Sequence, residues 1–227
     1  MARGLEGSAK ERLADALTRV IALRRNLESD PALAQRWRAV KAWQSQRLRD
    51  TYPDLLASPR YGPACRFFLD ELYAAKDFSQ RDQEALRVVP KLARMLPERA
   101  VETMARAVEL DELSETLDAR VARLIRLPID EAAYVQAYRA AGTREERARQ
   151  IDMIDSIGRS LERLARLPLL SGMLHMMRAP AEAAGLGHLH HFLAAGFDSF
   201  KAMGEAGAFL ATIRERETAL MRKWFAE

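Results

Sequence analysis

All four histidines of this 227-residue chain, His175, His188, His190 and His191, fall in one stretch with Gly172, Gly185, Gly187, Gly196, Gly204 and Gly207. Imidazole binds metal, haem or a proton near neutral pH, and glycine lets main chain approach a ligand or another helix closely. His188 and His191 are three residues apart, which brings both rings to one face of a helix. Two imidazoles make half of a zinc or non-haem iron site, and a catalytic zinc needs a third protein ligand. His175, Glu182, Asp198 and Glu205 are the candidates for it. The chain contains no Glu-x-x-His pair, which argues against a ferritin-like di-iron centre. A single histidine facing an apolar pocket is the haem alternative. The candidate cofactor residues are therefore His175, His188 and His191, and the candidate pocket lining is Phe67, Phe68, Tyr73, Met173, Met177, Phe192 and Phe197. Against this stands a plainer expectation: these are core and helix-surface groups, the glycines serve helix packing, and no cofactor is bound. A haem or a divalent metal is the alternative.

Other catalytic patterns are missing. There is no phosphate-binding Gly-x4-Gly-Lys-Ser/Thr, no Gly-x-Gly-x-x-Gly after a strand, no Gly-x-Ser-x-Gly and no His-Glu-x-x-His. Cys65 precedes Phe67-Phe68, as a small buried side chain would. Asp70, Glu71, Asp77, Arg81 and Asp82 resemble an acid/base group, but helix capping and surface pairing account for them, with Ser79 as an N-cap and Asp82 three residues on.

The elements that position these residues are helices. Ala, Leu, Arg and Glu dominate, and apolar residues recur at spacings of three and four. Leu13, Leu17, Val20 and Leu27 mark one helix; Leu33, Trp37, Val40 and Leu48 mark a second, starting after Asp30-Pro31. Pro90 predicts a kink or break. Gly142-Thr143 with Glu146 reads as one helix end followed by a capping box. Over 98–126, the stripe Val101, Met104, Val108 is offset from the stripe Leu110, Leu113, Leu117, Val121, Leu124 by roughly 200°. That helix either breaks near Glu109–Glu112 or is buried on two sides. The R-L-x-R-L-P segments at 122–130 and 162–170 are too short to establish a repeat.

Charge is uneven. Residues 1–60 hold 12 Lys+Arg against 7 Asp+Glu, although the whole chain carries only +4. Arg36, Arg38, Lys41, Arg47 and Arg49 surround Trp37 and Trp43, a mix able to meet phosphates and stack on bases. A solvated face with core tryptophans is the stronger expectation, and nucleic acid the weaker. One cysteine permits no internal disulfide. No segment reads as a signal peptide or a membrane span, so a cytoplasmic location is expected.

The segments FFLDELYAAKDFSQRD (67–82), LPE (96–98), ELDELSETLD (109–118), RQI (149–151), MRAPAEAAGLGHLHHFLAAGF (177–197) and FLATIRERE (209–217) resemble an uncharacterised bacterial all-helical family. The resemblance spans roughly 60–220, outside the basic N-terminal helices, and supports one integrated domain without implying an activity, cofactor or catalytic residue.

Together these observations predict an all-α protein, a single multi-helix bundle of about eight to ten helices with possible globin-like packing. A basic helical pair over 1–58 is expected to join a helical core over 59–227. The expected function is non-catalytic binding or regulation, with another protein or a second copy of the chain as partner. A small-molecule, haem or metal sensor built on the His/Gly/Met segment is the alternative.

Overall fold

The computed structural model describes residues 7–72, 78–94 and 96–226, and among these every regular element is helical. Twelve helices follow in order: α1 (Ala9–Glu28), α2 (Pro31–Thr51), α3 (Pro53–Ala57), α4 (Gly62–Glu71), α5 (Ser79–Leu92), α6 (Glu98–Leu124), α7 (Glu131–Ala141), α8 (Arg144–Ala165), α9 (Pro168–Met176), α10 (Arg178–Ala183), α11 (Gly187–Met203) and α12 (Gly207–Ala226). The count exceeds the eight to ten expected because short helices such as α3 and α10 fill what read as connections.

Local chemistry sets most starts. Ser8 and Glu11 form a reciprocal capping box on α1, and Thr143 and Glu146 form one on α8. Asp30 accepts from the backbone N–H groups of Ala32 and Leu33, and Pro31 opens α2 with no N–H to lose. Pro90 does not break α5, which continues to Leu92. Its missing N–H leaves the carbonyl of Leu86 without an i→i−4 donor, but only two helical residues follow, so little of the helix depends on that bond.

The 27-residue α6 is continuous through Glu109–Glu112 and is buried on two sides. On one side Val101 and Ala105 pack with Leu13, Leu17, Val20 and Ile21 of α1 and with Ala85 and Val89 of α5. On another, Ala119 and Ala122 pack with Trp37 and Val40 of α2, Tyr134 and Tyr138 of α7, and Trp224 of α12. Offset apolar stripes are what a central helix with two packed faces requires. A third cluster joins Tyr52, Leu55, Cys65, Phe200, Met203, Phe209 and Leu210. Cys65 lies inside it, where burial pushes its thiol up to about 11, so the sulfur packs rather than reacts at neutral pH. At Gly158 an added Cβ would stand 2.3 Å from Leu210 Cδ2, the mark of a close α8–α12 crossing.

Candidate functional site

The histidines are dispersed along α9 and α11 instead of converging. His188 Nδ1 lies 2.9 Å from Glu84 Oε1, while Glu84 Oε2 accepts from the backbone N–H of Leu189 at 2.7 Å. Buried Glu84 of α5 thus places a carboxylate at the start of α11, where backbone N–H groups lack intrahelical partners. His190 Nε2 is 2.7 Å from the Leu174 carbonyl, and His175 Nδ1 is 2.8 Å from the Ser171 carbonyl. His191 is exposed. Among the described residues, no three His, Cys, Asp or Glu side chains are grouped to hold a metal ion.

The aromatic residues named as pocket lining pack directly on one another. Phe67 meets Phe192 at 5.5 Å and Phe68 at 5.8 Å between centroids, and Phe68 stands edge-on to Phe200 at 6.0 Å. A Cβ added at Gly196 would stand 2.8 Å from Phe67 Cζ, so α4 sits tightly against α11 there. Phe197 is half-buried in the third core cluster. Tyr73 and Asp77 lie outside the described residues. Met173 and Met177 are exposed and do not belong to this packed group.

The exposed methionines mark a different feature. The sequence of α9, PLLSGMLHM, is apolar on nearly every side, a composition usually found in a fully buried helix. Here only one side is covered. Buried Ser171 accepts from Lys201 Nζ of α11 at 2.9 Å, and Leu174 receives His190 as above. The outward side presents Leu169, 88% exposed, and Met176, 75% exposed, together with Met173 and Met177. Their i, i+4, i+7, i+8 spacing makes one stripe. Gly172 lies beside it, and a Cβ added there would meet nothing within 4 Å.

Sequence reasoning missed the buried ion cluster where α1, α2, α5 and α6 meet. Arg24, 6% exposed, donates from Nη1 to Asp82 at 2.9 Å, from Nη2 to both Asp111 oxygens at 2.8 Å, and from Nε to Glu115 at 3.2 Å. Glu115, 1% exposed, also accepts from Lys41 Nζ at 2.5 Å and Trp37 Nε1 at 3.0 Å. Burial opposes the charge on Glu115, but Lys41 and Arg24 more than offset it and hold the carboxyl below its usual range. Three residues on, Asp118 accepts from Gln44 Nε2 at 2.6 Å, and burial pushes it up to about 6. A small pocket of about 30 Å³ adjoins the cluster between Trp37, Phe78, Arg24 and Asp82. Asp82 is accordingly buried rather than surface-paired, and the N-cap of α5 is Phe78, with Ser79 as the first helical residue. Arg81 lies between Phe78 and Phe192, 4.2 and 4.6 Å from their centroids.

Part of the basic excess of the first helices is thereby paired with carboxylates of later helices, while Arg25, Arg38 and Arg49 stay exposed. Arg12 pairs with Glu102 and Glu109, Arg19 with Glu112, and Arg24 with Asp111 and Glu115, a ladder of α1 cations on α6 carboxylates. On α2, Lys41 joins Glu115 and Arg47 joins Glu217, while Trp43 stacks on Tyr134 at 3.8 Å. Two signals pointed to this pairing. Arg24 falls on the apolar stripe of α1 where a leucine would be expected, and ELDELSETLD supplies a matching acidic run.

These features define an all-helical protein locked around a central ion cluster, with one apolar helix face left uncovered. Residues 23–227 match the family model of a domain of unknown function (DUF8198), and the chain belongs to that family. The match takes in all of α2 and the end of α1, so the family extends further toward the N-terminus than the motifs over 60–220 implied. No curated protein and no solved structure matches the chain. No helix among the described residues is long and apolar enough to cross a membrane.

Proposed function

We propose that this protein is a non-catalytic binding module that captures another protein on the outward face of α9. The observation that carries this reading is the stripe Leu169, Met173, Met176, Met177, exposed on a helix whose composition calls for burial. Methionine suits such a surface because its unbranched, polarisable side chain re-packs against varied partners. The ionisable groups of the interior support a structural role, since the carboxylates of the cluster are engaged with Arg24, Lys41, Trp37 and Gln44. The test is a photo-crosslinking residue at position 169 in the cells that make the protein, with the same residue at exposed Arg38 as control. The expected result is a discrete adduct with a different protein at 169 that is absent at 38. No adduct at 169, or the same adducts at both positions, overturns the reading.

A further inference from the structure

We infer that Met173, Met176 and Met177 form a modification site at which a peroxide turns the apolar face of α9 into a polar one, reversibly and without unfolding the chain. Resting on the binding reading above, the same conversion releases the protein captured there.

Access selects these sulfurs. Met176 is 75% exposed, Met177 46% and Met173 41%, whereas Met203 and Met221 are buried and Met104 and Met153 half-buried. Oxidation follows exposure, so the three on α9 react ahead of the other described methionines. The chain's one cysteine does not compete. Cys65 lies buried in the third core cluster with its thiol protonated at neutral pH, and it offers a peroxide neither an open path nor a thiolate.

The step balances with the peroxide as the sole co-reactant. A sulfur lone pair attacks one peroxide oxygen, and an S–O bond forms as the O–O bond breaks. The departing hydroxide takes the proton left on the transferred oxygen and leaves as water. Sulfur loses two electrons and the peroxide gains them. In the reverse step two thiols become a disulfide, the sulfoxide returns to the thioether, and its oxygen leaves as water.

Position decides what the step does. The three methionines are spaced i, i+3, i+4, so their sulfoxides fall together on the outward side of α9. Each converts a flexible apolar side chain into a polar one, which leaves Leu167 and Leu169 as the large apolar groups of the face. The contacts that seat α9 on α11 use other atoms: Ser171 Oγ accepts from Lys201 Nζ, and the Leu174 carbonyl meets His190 Nε2. Oxidation therefore alters the outward side and spares the inward one, unlike oxidation of a core methionine, which disrupts packing.

The test treats the full-length chain with hydrogen peroxide. Peptide mass spectrometry follows each methionine, retention on a hydrophobic-interaction column follows the surface, and thermal melting follows the fold. Met176 is expected to oxidise first and Met173 and Met177 next, all at least tenfold faster than Met203 and Met221. Retention should fall as these three react while the melting temperature holds, and methionine sulfoxide reductases for both sulfoxide epimers, with dithiothreitol, should restore it. The triple variant Met173→Leu, Met176→Leu, Met177→Leu keeps an apolar face without sulfur, and its retention should not respond to peroxide. Comparable rates at Met203 or Met221, unchanged retention, a loss of retention that persists in the leucine variant, or a melting temperature that drops in step with the loss overturns the site.

Crosslinking from position 169, with the untreated or oxidised chain added to an extract of the cells that make it, separates this inference from the binding reading. The adduct should weaken several-fold on oxidation and return after the reductases. Equal adducts before and after oxidation leave the binding reading standing and overturn its regulation. No adduct from the untreated chain overturns the binding reading and the release that rests on it, while the oxidation map and the column still decide the modification site.

Discussion

Replacing Glu115 by Gln should cost about 3–5 kcal/mol, the loss typical of breaking a buried ion pair by removing one partner. The structure accounts for the size. Glu115 is almost fully buried, and its two oxygens accept from Lys41, Arg24 and Trp37. A glutamine keeps one acceptor oxygen, turns an NH2 group toward donors, and leaves buried Lys41 without its carboxylate. At roughly 2–4 °C per kcal/mol for a chain of this size, the melting temperature should fall by about 10 °C. Urea unfolding followed by circular dichroism at 222 nm measures the loss without relying on Trp37, whose own environment changes. Adding Lys41→Met to Glu115→Gln should recover part of the loss, because the unmatched lysine is the main cost. A loss below about 1 kcal/mol, or a double variant less stable than the two single losses combined, would refute the idea that this pair is desolvated in the folded protein.

Asp118 gives a pH signature. Burial raises its carboxyl to about 6, so the folded chain holds its proton more tightly than the unfolded chain, where aspartate titrates near 4. Its penalty on folding is absent below about pH 4, grows up to about pH 6 and is full above that. Asp118→Asn, which keeps an acceptor for Gln44, should therefore stabilise the protein at pH 8 by about 1–3 kcal/mol and change little at pH 4, as read by urea midpoints at the two pH values. Glycine substitutions should differ in sign. Gly158→Ala places a methyl against Leu210 and should cost about 1–3 kcal/mol, whereas Gly172→Ala meets open space within a helix and should gain up to about 1 kcal/mol in the same measurement. Glu84→Ala removes the acceptor at the start of α11 and should cost about 1–2 kcal/mol, well above the cost of exposed His188→Ala.

Helix starts were legible because they depend on a few neighbouring residues. Asp30-Pro31 and Thr143 with Glu146 act within one turn, and each does in the structure what the sequence implies. The two-sided burial of α6 was legible for a related reason, since offset stripes record two packing partners on a single helix. Side-chain destinations across helices were not. The positive charge of residues 1–60 looked like a surface property: the place of Arg24 on the apolar stripe of α1 signals burial, but nothing local in α1 or α2 shows which carboxylates, 74–97 positions away, Arg12, Arg19, Arg24 and Lys41 answer. Likewise Ser79 and Asp82 have the spacing of a capping pair, but Asp82 gains more from Arg24 in the interior than from an exposed backbone N–H, and the cap moves to Phe78. Local periodicity carries information about faces; the pairing of faces depends on the chain's return path.

That distinction also bears on why the ion cluster sits at the α1–α2–α5–α6 junction. Apolar side chains alone would let α1 slide along α6 by a turn, since leucines, valines and alanines recur on both surfaces at similar spacing. Arg12, Arg19 and Arg24 fit Glu102 and Glu109, Glu112, and Asp111 with Glu115 in a single register. A one-turn slip would strand buried Arg24 and Glu115, at a cost of several kcal/mol. The cluster thus penalises wrong alignments more than it stabilises the correct one, the use for which buried polar groups are best attested. Replacing Arg24, Lys41, Asp82, Asp111 and Glu115 together with Met, Met, Leu, Leu and Leu tests this. Thermal stability should be kept or raised, while the amide spectrum broadens or doubles as alternative α1–α6 registers become populated. A single sharp set of resonances from that variant would show that apolar shape alone sets the register, and the argument for the ion ladder would fail.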